Sequence, residues 1–392
     1  MKKAVLIIGL LLLFAAEILR VYYIMPFPGS QRSNSIGFAY WLDKNIGWLR
    51  ILLIALIAYP LWNIFMHSGR WAKIISGACI LIYVFVFYKF NFRFQADKMF
   101  YQPRTKTFAS SKDNKIPTDK LIIGVEINGE AKAYPIQLIG YHHQVRDTIG
   151  NIPVMITYCT VCRTGRAFSP TVNGHNEVFR LVGMDHFNAM FEDSSTRSWW
   201  RQETGGAIAG PLNGSYLREI PSRQVKLATW LQEYPNSLIL QRDTVFNEDY
   251  NDLADFDRGT LKSSLEKRDS ASWKFKSWVL GVANGKEAKA YDWNELVQKR
   301  IIQDSMRDLP LLITLEADTA SFHVLNRMVN GKSLQFELVR DSLRDLNTNS
   351  IWTMAGSCTN GQLQGTSLKP VQAYQEFWHS WSTFHPNTTK HE

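Results

Sequence analysis

Two cysteines three residues apart, in Thr157-Tyr158-Cys159-Thr160-Val161-Cys162, are the residues of this chain best suited to chemistry. Sulfurs at this spacing can meet within one turn, as a disulfide or as two ligands of a soft metal. Arg163 and Arg166 follow directly, and a guanidinium that approaches a thiol favours its thiolate. Three fates stay open for the pair: a redox-active dithiol, a soft-metal site such as Cu(I), or an inert disulfide. Structural zinc normally needs four ligands, and no second Cys-x-x-Cys is present. His142, beside His143, is the candidate for proton transfer or ligation near the pair. Met155 shares a strand face with Thr157 and Cys159 at period two, which makes it a third candidate ligand. The catalytic set is thus Cys159, Cys162 and His142. The metal set adds Met155, and the cofactor is open between none and copper. Of the other cysteines, Cys79 falls in an apolar run and Cys358 stands alone. Met184 and His186, in an expected loop over 183–188, are placed to fold over the site. Trp199, Trp200 and Trp230 read as core. No hydrolase, P-loop or dinucleotide fingerprint occurs.

The pair needs a strand to end on. Residues 154–158 supply it, after a hairpin expected at 123–127 and 131–134 around Asn128-Gly129 and a short helical stretch. A second hairpin turns at Asn173-Gly174, and a helix near 225–233 closes the segment. The same pattern then returns. At an offset of 157, Gly124 matches Gly281, and the run Glu130 to Tyr134 matches Glu287 to Tyr291. Val172-Asn173-Gly174 matches Val329-Asn330-Gly331 at that offset. At an offset of 151, Gly210, Leu212, Trp230 and Pro235 match Gly361, Leu363, Trp381 and Pro386. The second copy carries Glu316, Thr319 and Lys299 where the first carries Cys159, Cys162 and His142. The reading is an α+β, strand-dominated soluble domain built from two similar halves. Residues 118–241 form the first repeat, 242–275 a charged connector, and 276–388 a second repeat with a structural role.

Before this domain the composition changes. Residues 1–100 hold 11 Lys+Arg against 3 Asp+Glu, whereas the remaining 292 hold 33 against 32. The folded domain is therefore almost neutral, which excludes a nucleic-acid reader. Three transmembrane helices are expected in residues 1–92, at about 4–25, 49–66 and 71–89, with a polar tether over 93–117. Glu17 and Arg20 are close enough to neutralise each other near the interface. Lys2, Lys3, Arg70 and Lys73 set the cytoplasmic side. An odd number of spans then leaves the C-terminal domain outside the cytoplasm, on a multi-pass protein of the inner (cytoplasmic) membrane. The expected partners are the lipid bilayer and a protein or small-molecule redox partner.

The run GVEINGEAKAYPIQLIGYHHQVRDTIGNIPVMITYCTVCRTGRAF, followed by Trp200, GGAIAGPLNG and a Trp-x-x-x-x-Pro helix, resembles the bacterial family catalogued as domain of unknown function 3179. The resemblance covers roughly residues 118–388 and is carried most specifically by the Thr-Tyr-Cys-x-x-Cys run and the segment from His142 to Asp147. Thr160 stands where this family usually has proline. Members are generally exported, and some relatives carry selenocysteine at a position of the pair. The resemblance therefore implies redox chemistry at Cys159 and Cys162. Two functional readings follow: a membrane-anchored extracytoplasmic thiol–disulfide oxidoreductase, or a soft-metal or partner-binding module without catalysis.

Overall fold

The structure is a computed structural model that describes residues 2–32 and 34–391. It divides into two units. One comprises the residues up to Tyr101 together with Glu177–Tyr216, and the other Gln102–Asn176 together with the residues from Leu217 onward. The expected first repeat is thus split, since part of it joins the N-terminal helices.

In the first unit, helices α1 (Lys2–Tyr22), α2 (Ile36–His67) and α3 (Arg70–Phe92) are long and apolar enough to cross a membrane. The second begins well before the expected residue 49, and it carries Pro60 inside it. Leu6, Leu13 and Ile57 form a small core between the first two. The polar residues of these helices gather rather than point outward. Glu17 is fully buried and accepts from Arg50 at 2.6 Å and from Asn91 at 2.9 Å, while Arg20 donates to Asp43 at 3.3 Å. The expected Glu17–Arg20 charge interaction is present and is joined by pairs across helices, which hold the bundle together where lipid offers no partner. The unit also contains a four-stranded sheet of Phe179–Asp185, Asn188–Asp193, Trp199–Arg201 and Ala207–Ala209. Met184 therefore lies in a strand, and the expected 183–188 loop shrinks to a turn at His186 and Phe187.

The second unit is strand-rich. One sheet orders Arg223–Lys226, Leu121–Ile127, Glu130–Pro135, Leu238–Leu240 and Phe108–Ala109. Another orders Ala373–Phe377, Trp278–Asn284, Glu287–Asp292 and Thr389–Lys390. The pairings of Glu130–Pro135 with Leu238–Leu240 and of Glu287–Asp292 with Thr389–Lys390 are parallel, and the other pairings of the two sheets are antiparallel. Residues 93–117 are more than a tether, because Phe108–Ala109 extends the first of these sheets. The sheet that carries the cysteines orders Gln144–Ile149, Ile152–Cys159, Thr164–Phe168 and Glu219–Ile220. Its counterpart in order is Ile301–Met306, Leu309–Leu315, Phe322–Asn326 and Lys369–Pro370.

Matched residues make matched contacts. Tyr134 donates to Asp147 at 2.7 Å and Tyr291 to Asp304 at 2.9 Å. The Trp230 indole donates to Ser237 and the Trp381 indole to Thr388, each at 2.8 Å. Gly124 is required beneath Trp230, where an added Cβ would lie 2.6 Å from the ring, and Gly281 lies against Trp381 in the same way. The hairpin over 121–135 turns on Asn128 and Gly129 with φ of 53° and 83°, the left-handed pair a tight hairpin needs. Trp199, Trp200 and Trp230 are all buried.

The connector is not a solvated linker. Phe246, Tyr250 and Phe256 are buried, and Phe256 packs edge-on against Tyr158 at 5.7 Å.

Candidate functional site

Cys159 ends its strand, and its ladder partner is Thr164. Residues 160–163 are therefore a four-residue hairpin loop, with Cys162 inside it. The loop closes through Arg163, whose amide donates to Thr160 O at 3.3 Å and whose φ is 57°. A bulky residue in that region is strained, and the surroundings must hold it there. Three hydrogen bonds of the Arg163 guanidinium do so, to Gln375 Oε1, Phe256 O and Asp257 O at 3.0–3.2 Å. A short helix, Ile136–His142, comes close to the loop at Gly140, where an added Cβ would lie 3.0 Å from Thr160 Cγ2.

Both sulfurs belong to fully buried residues. Their surroundings come from the second half of the chain. The Phe377 amide donates to Cys162 O at 2.9 Å. Lys276 Nζ donates to Val161 O at 2.6 Å and to Leu265 O at 2.5 Å, and lies 3.1 Å from His379 Nε2. Cys162 hydrogen-bonds with Cys159 and with the Ser380 side chain. Ser380 in turn donates to Glu376 Oε2 at 2.9 Å. The buried Glu376 carboxylate is fixed on its other oxygen by Arg166 at 2.9 Å and Thr164 at 2.8 Å.

Burial dominates the electrostatics. It pushes the Cys162 thiol well above its ordinary range, as do the hydrogen bond and charge of Cys159, while Ser380 and the Lys276 ammonium pull it back. Burial lowers Lys276 to about 8, against an opposing pull from both cysteines. Burial, and then the Lys276 charge, lowers His379 to about 3, so its imidazole is neutral at physiological pH. The cluster thus holds two thiols, an amine near its titration point, a neutral imidazole and a hydroxyl leading to a carboxylate.

The other candidates from the sequence fall elsewhere. His142 Nε2 lies 2.6 Å from the Tyr250 hydroxyl, with Tyr141 and Phe246 against its ring. Met155 is buried on the strand of Cys159, but four residue steps of extended chain separate their Cα atoms by about 13 Å. Two side chains sharing one ion do not span that distance, so Met155 is withdrawn as a ligand. Among the described residues no group of three His, Cys, Asp or Glu side chains is placed to hold a metal. His186 pairs with Asp185 at 2.6 Å in the first unit. Cys358 is buried and its sulfur lies 3.5 Å from Asn360 O. Lys276, His379, Ser380 and Glu376 were missed from the sequence because the second half looked structural. The available signal was Glu376 and Ser380, polar residues at (i, i+4) beside the buried Phe377 and Trp381.

The fold and site define a protein with three apolar N-terminal helices and a strand-rich domain in which a buried Cys-x-x-Cys loop is enclosed by residues from both ends of the domain. The chain belongs to the family described as protein of unknown function (DUF3179), whose profile matches residues 100–388. No curated protein and no solved structure matches it.

Proposed function

We propose that the chain is a membrane-anchored thiol–disulfide oxidoreductase whose centre is Cys159 and Cys162, with the domain on the extracytoplasmic side of the inner membrane. The observation that carries this reading is the convergence of Lys276, His379 and Ser380 on the loop that bears both thiols. The corresponding loop of the second half carries Glu316 and Thr319 and is held differently. There Asp318 accepts from the amides of Ala320 and Ser321, each at 2.8 Å. A hairpin of this kind folds without a cysteine pair, so the pair answers to something besides folding.

In the proposed cycle the minor fraction of Lys276 that is neutral at pH 7 takes the Cys162 proton, and the thiolate attacks a partner disulfide. One partner thiolate leaves and a mixed disulfide forms. Cys159 then displaces the second partner sulfur and closes the Cys159–Cys162 bond. Two electrons move from the pair to the partner, and the two thiol protons are released to the amine and the leaving thiolates. Lys276 takes the proton-transfer role expected of His142, whose Nε2 is engaged by Tyr250. Because both sulfurs are buried, exchange proceeds from an opened loop.

Maleimide gel-shift of the full chain, reduced and after treatment with oxidised glutathione, tests the reading. Reversible loss of two reactive thiols, mapped to Cys159 and Cys162, is expected. Copper at one equivalent per chain in the purified protein would overturn it in favour of a soft-metal module.

A further inference from the structure

The residue after Cys162 opens onto a second feature that the redox reading does not use. Arg163 lines a cavity of about 320 Å³ whose wall also holds Arg268, Lys120, Lys226 and Arg258. Three carboxylates share that wall, so cationic side chains outnumber acidic ones. Two guanidiniums converge on one indole: Arg163 lies 3.8 Å and Arg268 4.1 Å from a Trp278 ring. Their hydrogen bonds go to neutral acceptors, Arg163 to an amide and two carbonyl oxygens and Arg268 to Asn294 Oδ1 at 2.5 Å. A buried guanidinium is ordinarily matched by a carboxylate, because a desolvated charge without a counter-charge is costly. Asp257 acts on Arg163 and Asp292 on Arg268 through space only; one Asp257 oxygen is spent on the Leu121 amide at 3.0 Å, and burial raises its pKa. Three polar atoms of this wall are buried without a hydrogen-bond partner: Arg268 Nε, Trp278 Nε1 and Asp257 Oδ1. Two of these are N–H donors lacking an acceptor, beside two guanidiniums with no carboxylate in hydrogen-bond contact among the described residues. An oxyanion supplies both the acceptor and the anionic contact.

We propose that this cavity binds a small organic oxyanion, a carboxylate or a phosphate, with its charged group between Arg163 and Arg268 and its apolar part against Trp278 and Trp293. The volume suits a small molecule rather than a polymer. Arg163 belongs to the hairpin loop of the pair, so a bound anion sits beside the loop that the proposed exchange reaction opens. The site stands on its own residues and survives if the cysteines prove inert.

The test is thermal unfolding of the detergent-solubilised full chain with increasing malonate or inorganic phosphate, against potassium chloride at equal ionic strength. A saturable rise in Tm with one of the two probes is expected, and which probe acts separates a carboxylate from a phosphate ligand. Arg268→Gln removes one guanidinium from a half-buried position and should weaken half-saturation about tenfold, the loss of one charge-assisted hydrogen bond. Arg268→Lys should restore part of it. If Arg268→Gln unfolds, Lys226→Gln provides the same comparison from another part of the wall. Shifts no larger than those in chloride, or equal shifts in wild type and variant, would overturn the proposal.

Discussion

Replacing Lys276 with methionine isolates the charge that the site holds beside its sulfurs. An ordinary lysine titrates at 10.5 and Lys276 at about 8, a difference corresponding to about 3 kcal/mol. The sign follows from which state holds the proton. At pH 7 folded and unfolded chains are both largely protonated, and the folded state bears the cost of a buried ammonium. Between about 8 and 10.5 the folded state has released the proton while the unfolded chain keeps it, so stability rises with pH. Cys162, raised by burial, acts in the opposite direction over the alkaline range, because the unfolded thiol ionises first. Cys159, Glu266 and Asp269 also face the amine, and His379 titrates far below this window. These groups are common to both proteins and largely cancel in the difference between them. The hydrogen bonds lost to Val161 O and Leu265 O shift that difference by a constant, so its slope is the test and its value at pH 7 is not. Denaturant unfolding of the solubilised full chain, followed by tryptophan fluorescence from pH 7 to 10.5, should show wild type gaining about 3 kcal/mol relative to Lys276→Met. A flat difference would refute the buried-amine description and, with it, the proton acceptor of the proposed cycle.

Replacing both cysteines, Cys159→Ser with Cys162→Ser, should abolish thiol exchange and leave circular dichroism unchanged, whereas Cys358→Ser should do neither; a largely unfolded double variant at 25 °C would make the pair structural. Glu376→Gln leaves Arg166 buried without its closest carboxylate and should cost about 3–5 kcal/mol in denaturant unfolding. A loss under 1 kcal/mol would show that the Arg166–Glu376 pair does not join the two halves of the domain. A reporter fused to the C-terminus should be active only when it requires an extracytoplasmic location, as Lys2, Lys3, Arg70 and Lys73 imply for three spans. Activity of a cytoplasm-dependent reporter would reverse the orientation.

The short-range features were readable from sequence because local chemistry dictates them. Asn128-Gly129 and Asn173-Gly174 mark the turns they form, with φ positive at all four residues. The apolar runs gave three helices, although the second starts at Ile36, well before the apolar run from residue 49 that marked it. Long-range placement was not readable. Nothing within residues 144–168 announces that Lys276, Glu376 and Ser380, more than a hundred residues away, close over the loop. The connector misled through its charge: its few aromatics, Phe246, Tyr250 and Phe256, bury themselves against the first half, and burial is decided by partners the sequence does not name. Met155 failed for a geometric reason, since period two puts side chains on one face without bringing them within reach of one ion.

The most direct test of the account is the reduction potential of the pair in the intact protein. The full chain is equilibrated in detergent with glutathione buffers of graded poise, quenched with acid and labelled, and the oxidised fraction of Cys159–Cys162 is read by mass spectrometry. The proposed exchange centre predicts a two-electron transition in the range of thiol oxidoreductases, about −270 to −120 mV, fully reversible from either direction. A pair that remains oxidised at about −300 mV and below would be a structural bridge, and would contradict the central claim.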